Sequence, residues 1–320
     1  MVRIALLAAA AVLLQPVPDA RAQGYPKGPI NLVIPLASGD ATDIAGRAMA
    51  EELGKLLKVP LVPINRPGAG GAVGTDSVVK APKDGYTILL ANNAALTFRL
   101  VLEPQNVTYD AQKDLTPLGL TTRIPTVVAV RPDAPSKSLR ELLETSKKNP
   151  GTVRLGNVGA GSVGDFTVQM INSLTAAQLT SVPFKGASPA IAALRGGHVE
   201  GVVVALGAIA GQFKGGAAQG VVISTKFPGF PAIPTMAELG YKQNIPGVWF
   251  GFFAPAGVPA EVTRTLVPAV ARAAKDPAIA AKLLTLGMVQ DYRAPDQLMA
   301  EIRDEFRSVS ELARKAGLIK

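Results

Sequence analysis

The sequence predicts an α/β protein of two lobes, joined by two extended strands and closing on a cleft. Three observations carry this reading. Apolar strands alternate with amphipathic helices over residues 30–91, and a second such alternation fills 126–224. An apolar strand at 249–254 then stands far from any partner in sequence, ahead of a helical C-terminal stretch. The chain has 320 residues, 48% of them apolar and 18% charged, enough for two ordinary cores.

The elements follow in order. Residues 4–14 are an apolar run behind Arg3, Pro16 and Pro18 break it, and Ala20-Arg21-Ala22 has the small-x-small form of a cleavage site. The expectation is a signal peptide over 1–22, cleaved after Ala22, and a mature chain in the periplasm starting at Gln23. The run is shorter than the roughly 18 apolar residues a membrane span needs, and no cysteine follows it to accept a lipid. With no cysteine anywhere, stability has to come from core burial instead of disulfides.

Residues 30–36 read as a strand, Ala37-Ser38-Gly39-Asp40 as a turn, and Thr42 as the N-cap of a helix whose Ala45, Ala48, Met49 and Leu53 keep helical spacing. A strand at 61–64, the glycine-rich connection 65–71, a short helix through Lys80 and a strand at 86–91 ending at Asn92-Asn93 complete a parallel sheet. Ligands gather beyond the carboxyl ends of such strands, and here 36–43, 65–71 and 92–93 are small or polar.

The second unit has strands at 126–130, 153–158, 180–184, 199–205 and 220–224. Its helices start at Ser138, which caps a helix to Lys148, at Asp165 and at Ser188. The strands 126–130 and 249–254 are expected to be the two crossings between lobes. Helices opening at Pro259, Pro277 and Pro295 return to the first lobe. The division is therefore 23–124 for the first lobe, 125–248 for the second, and 249–320 for the return.

The stretch from Val153 into Phe166 organises the chemistry. A strand ends in a glycine turn and a helix begins, so backbone N–H groups converge on one point. Gly159, Gly161 and Gly164 match the dinucleotide spacing, but that site needs an acid about 20 residues on. None occurs between Asp165 and Glu200. An anion site at a helix terminus or a bare glycine turn is left.

His198, the only histidine, lies in a polar turn without a nucleophile-elbow serine and reads as a surface residue ahead of a general base. Asp40 and Asp43 read as helix caps ahead of metal ligands, and Trp249 as core ahead of a ligand platform. No calcium loop or zinc-ligand spacing occurs, so neither a metal nor a cofactor is expected. The net charge is +9, or +8 without residues 1–22, which carry Arg3, Asp19 and Arg21. This favours a small anionic solute; nucleic acid is not expected, since the basic residues are scattered singly without aromatic interleaving.

Eight motifs, in order, carry a family resemblance: 25–30 (YPKGPI), 35–43, 65–71 (NRPGAGG), 84–87 (DGYT), 159–162, 182–186 (VPFKG), 234–240 (PTMAELG), and 249–251 with 254–257. From Tyr25 to its end the chain resembles the Bug (TctC-type) extracytoplasmic solute receptors, the binding proteins of tripartite tricarboxylate transporters. The resemblance implies a periplasmic binding protein type II fold that closes on a small carboxylate held by backbone amides. One lobe would contribute Leu36, Ala37, Ser38 and Gly39, with Asp43 stabilising the turn and Asn92 and Asn93 assisting. The other would contribute Gly161, Ser162, Phe184, Lys185 and Gly186, with Asp165 and Ala205 at family site positions.

Asp40 stands where the family has a second glycine, Asp165 where it has His, Phe184 where it has Tyr, and the strand after His198 ends on Ala205 in place of Asp. These departures suggest a longer or aromatic carboxylate in place of a plain dicarboxylic acid. They leave Asp165 as either a cap of its own helix or a group selecting against strongly anionic ligands. The implied protein is a monomeric, non-catalytic receptor serving the membrane subunits of a transporter. A co-receptor presenting ligand to a sensor kinase is the alternative, with an exported hydrolase or transferase behind both.

Overall fold

The computed structural model describes residues 24–319, so the expected signal peptide and its cleavage after Ala22 lie outside the described residues. β1 (Ile30–Ile34), β2 (Leu61–Asn65) and β3 (Thr87–Asn92) run parallel, connected through α1 (Ala41–Leu57) and α2 (Ala72–Val79). All of β1 except Asn31 is buried, which is why its sequence is apolar without alternation.

The whole first sheet is mixed, in contrast to the parallel sheet expected. Its order is β11-β4-β10-β3-β1-β2, where β4 (Leu115–Ile124), β10 (Val248–Pro255) and β11 (Val289–Arg293) are antiparallel additions. The lone apolar strand thus has a partner on each side, and it is buried from Trp249 to Pro255. Two of these strands escape a reading by apolar pattern: Pro117 and Gly119 interrupt β4, and β11 is a polar edge strand, VQDYR. The helical stretch formed by a π-turn at Ala94–Phe98 and α3 (Arg99–Leu102) is likewise unanticipated.

The second sheet, in the order β7-β6-β8-β5-β9, comprises β5 (Thr126–Val130), β6 (Arg154–Asn157), β7 (Thr180–Pro183), β8 (Gly201–Ala205) and β9 (Gln219–Ile223). Around it pack α4 (Leu139–Lys148), α5 (Val163–Thr175), α6 (Ala187–Arg195) and α7 (Leu206–Lys214). The C-terminal α8 (Ala260–Ala273) and α10 (Pro295–Lys315) pack on β4, and α9 (Pro277–Thr285) packs on β11.

β5 lies wholly in the second sheet and β10 wholly in the first. The chain therefore passes between the sheets beside these strands: once at Pro125, and once in the segment joining β9 to β10. The register sets Val248 opposite Ile124, so the passages run side by side as a hinge. Arg123 braces it, donating from Nε to Asp291 at 2.6 Å and through both terminal nitrogens to Glu301 at 2.7 Å.

The N-cap of α1 is Asp40 and not Thr42. Asp40 is extended (φ −69°, ψ 159°) and its carboxylate accepts the Thr42 N–H at 2.9 Å, which makes Thr42 already helical.

Candidate functional site

The turn after β1 is held from behind by Asp43. One carboxylate oxygen accepts the Gly39 N–H at 3.0 Å and the Ser38 hydroxyl at 3.4 Å; the other accepts Arg47 Nε and Asn65 Nδ2, both at 2.9 Å. Burial alone would raise the Asp43 pKa, but the bonds from Arg47, Gly39 and Asn65 hold it below the ordinary carboxylate value. Ser38 and Gly39 thereby spend their donors inside the turn, and Leu36 and Ala37 are left facing the cleft.

The glycine turn of the second lobe follows the same logic. Asn157, at the end of β6, accepts the Gly159 N–H at 3.0 Å, and Asp165 accepts the Gly161 N–H at 2.9 Å and the Ser181 hydroxyl at 2.5 Å. The Ser162 hydroxyl caps α5 through the Asp165 N–H at 3.2 Å. Gly161 is left-handed (φ +69°), and a Cβ on Gly164 would strike the Val203 carbonyl of β8. The glycines allow a tight turn pressed against the sheet, and the carboxylate of Asp165 acts as its internal brace.

On the side of the two turns, the lobes enclose an outer cavity and a small chamber, apart from a cavity of about 610 Å³ at the hinge lined by Arg123, Trp249 and Glu305 and by Ser224 and Lys226. The outer cavity, about 540 Å³, has walls from Leu36, Ala37, the loop 67–70 and Arg99 on one side, and from 158–160 and 183–186 on the other. Phe184, Lys185 and Gly186 all line it. Behind it is a chamber of about 30 Å³ reached by Leu36, Asn92 and Ala205. Asn93 lines neither space: its Nδ2 donates to Gly247 O at 3.0 Å and to Glu305 at 2.8 Å, at the hinge.

The lobes are closed. Ala37 Cβ lies 3.4 Å from where a Cβ on Gly186 would sit, and the Ser188 hydroxyl lies as close to the Gly39 position. Arg99 fastens them, its Nη1 donating across the cleft to Ala160 O at 2.7 Å while Nη2 pairs with Glu103 at 2.8 Å. The sequence reading passed over Arg99. Its one signal was a lone charge in the apolar stretch Ala94–Leu102, which spans the π-turn and α3. His198 is exposed, and among the described residues no group of His, Asp or Glu side chains is arranged to hold a metal ion.

The TctC family model, "Tripartite tricarboxylate transporter family receptor", matches residues 45–318. Protein BugT of Bordetella pertussis is 32% identical over 299 residues, which cover 92% of this chain and 91% of that one. An R. palustris protein solved with adipate has 26% identity and a TM-score of 0.87, over 92% of this chain and 98% of its own. MatC from Rhodopseudomonas palustris, solved with bound malate, has 29% identity and a TM-score of 0.85, over 90% and 99%.

Proposed function

The chain belongs to the TctC family of tripartite tricarboxylate transporter receptors, and from that premise we propose that it captures a carboxylate between its lobes and delivers it to the membrane subunits of such a transporter. It is a solute-binding receptor of the Bug/TctC type and not an enzyme. In this reading it works in the periplasm once the leader is removed after Ala22.

The observation that carries the reading is the outer cavity. It is of ligand size, apolar over much of its wall, and has the exposed ammonium of Lys185 at its edge. The other cation there, Arg99, is already engaged by Ala160 and Glu103, so Lys185 is the charge available to a ligand carboxylate. The adipate and malate bound by the two similar proteins support the ligand class. About 540 Å³ beside Phe184 favours a longer or aromatic body over a four-carbon diacid.

Thermal-shift and calorimetric titration with carboxylates of increasing length, each beside its own neutral amide, tests this. The acids should raise the melting temperature and the amides should not. Lys185→Gln should weaken the acids by about tenfold or more, the scale of a charge-assisted hydrogen bond. Equal binding of acids and amides would sink the carboxylate reading, and stabilisation by succinate or malate alone would sink the longer body.

A further inference from the structure

The chamber behind the cleft holds about 30 Å³, room for one water-sized group, and shares Leu36 and Val158 with the outer cavity. Its polar groups are the Asp40 carboxylate, the Thr42 and Thr126 hydroxyls and the Asn92 amide; among the described residues no Lys, Arg or His lines it. Asp40 is 6% exposed, Thr42 0% and Thr126 1%. Among the described residues the Thr126 hydroxyl has no hydrogen-bond partner, and that of Thr42 meets Asp40 without a bond of good geometry. Buried hydroxyls in that condition want a guest.

Asp40 sits where the lobes meet. Its carboxylate accepts the Thr42 N–H of α1, and the Ala187 N–H at the start of α6 faces it from the other lobe. α6 has no side-chain cap of its own, because its N-cap is Gly186. The positive ends of both helices therefore converge on one carboxyl group of the chain itself, whose pKa burial pushes up against the bonds from Thr42 and Ala187.

We propose that Asp40 is a specificity-determining residue, which makes this chamber a subsite for a hydrogen-bond-donating end of the ligand, a hydroxyl or an ammonium, and turns away a second carboxylate. The inference rests on the carboxylate reading of the outer cavity, where the ligand's acid group stays beside Lys185. Two carboxylates in a chamber without a cation cannot both remain ionised. A hydroxyl or ammonium instead donates to Asp40 and engages the free Thr126 hydroxyl. The ligand class is thus a monocarboxylate with a hydroxyl or amino group at its far end.

The test is calorimetry with matched sets: adipate against hydroxycaproate and aminocaproate, and succinate against γ-hydroxybutyrate and γ-aminobutyrate, with hexylamine as the partner that lacks a carboxylate. Wild-type protein should prefer the hydroxy or amino acid over the diacid of equal length by about tenfold or more. Asp40→Gly, in which backbone groups replace the carboxylate, should gain diacid affinity and reduce or reverse that preference. Asp40→Asn keeps a capping side chain, removes the charge, and should act in the same direction if the glycine variant folds poorly.

Equal or tighter diacid binding by the wild type overturns the inference, and so does a preference that neither variant changes. Hexylamine binding as tightly as aminocaproate would overturn the carboxylate reading of the outer cavity and leave the Asp40 preference standing.

Discussion

Glu305, on α10, accepts the Asn93 Nδ2 hydrogen at 2.8 Å and the Trp249 indole N–H at 3.0 Å, and its other contact is Thr97 Oγ1 at 2.8 Å. The Thr97 hydroxyl also lies 2.7 Å from the Asn93 carbonyl, so its single hydrogen serves one of these two acceptors at a time. Burial, against the bonds from Asn93, Thr97 and Trp249, pushes the Glu305 pKa from 4.5 up to about 7. An acid whose folded pKa is raised holds its proton better in the folded state. Its contribution is therefore full below about 4.5 and is lost as pH rises through about 7.

Melting curves of wild type and Glu305→Gln across that window should show the wild type losing ground to the variant as pH increases; parallel curves would refute the assignment. Trp249 is the only tryptophan, so its emission should titrate with a midpoint of about 7 in the wild type and stay flat in the variant. None of this was legible in the sequence. Asn93 and Glu305 stand 212 residues apart, and the pair Asn92-Asn93 gave no sign that its members face opposite ways.

At the scale of the element, the glycine turn between β6 and α5 shows what a sequence reading can and cannot reach. An apolar strand, three glycines and a helical run fixed strand, turn and helix, because each has a local physical signature. The direction of the N–H groups has no such signature: those of Gly159 and Gly161 are held by Asn157 and Asp165, and a sequence pattern does not encode that. Asp165→Ala should leave the Gly161 N–H buried without a partner and destabilise the protein by about 1–3 kcal/mol in chemical denaturation. Ligand affinity should fall as well, because Gly159 and Ala160, on the same turn, form part of the cavity wall. Unchanged stability would mean that the turn holds its shape without this brace. The strands β4 and β11 were missed for the complementary reason, since their partners and not their own apolar patterns make them strands.

For the whole molecule, the fold class was readable because two runs of strand and helix and one orphan strand leave few ways to connect two lobes, whereas the closed state depends on contacts no local pattern encodes. Arg99 is the clearest of these: it is 5% exposed, belongs to the first lobe and ends on a carbonyl of the second. Arg99→Met removes that bond while keeping apolar bulk in its place. It should therefore shift the receptor toward an open state and weaken ligand binding by up to about tenfold, since the fraction of closed molecules scales the apparent affinity. The chain has no cysteine, so spin labels on Lys55→Cys in α1 and Lys147→Cys in α4, both exposed, would report the distance between the lobes alone. Saturating ligand should narrow the wild-type distribution to its short component, and the Arg99→Met protein should keep a longer one at the same ligand concentration. If the two distributions coincide, closure is set by the hinge beside Pro125 and by the ligand, and the bond from Arg99 to Ala160 follows closure without driving it.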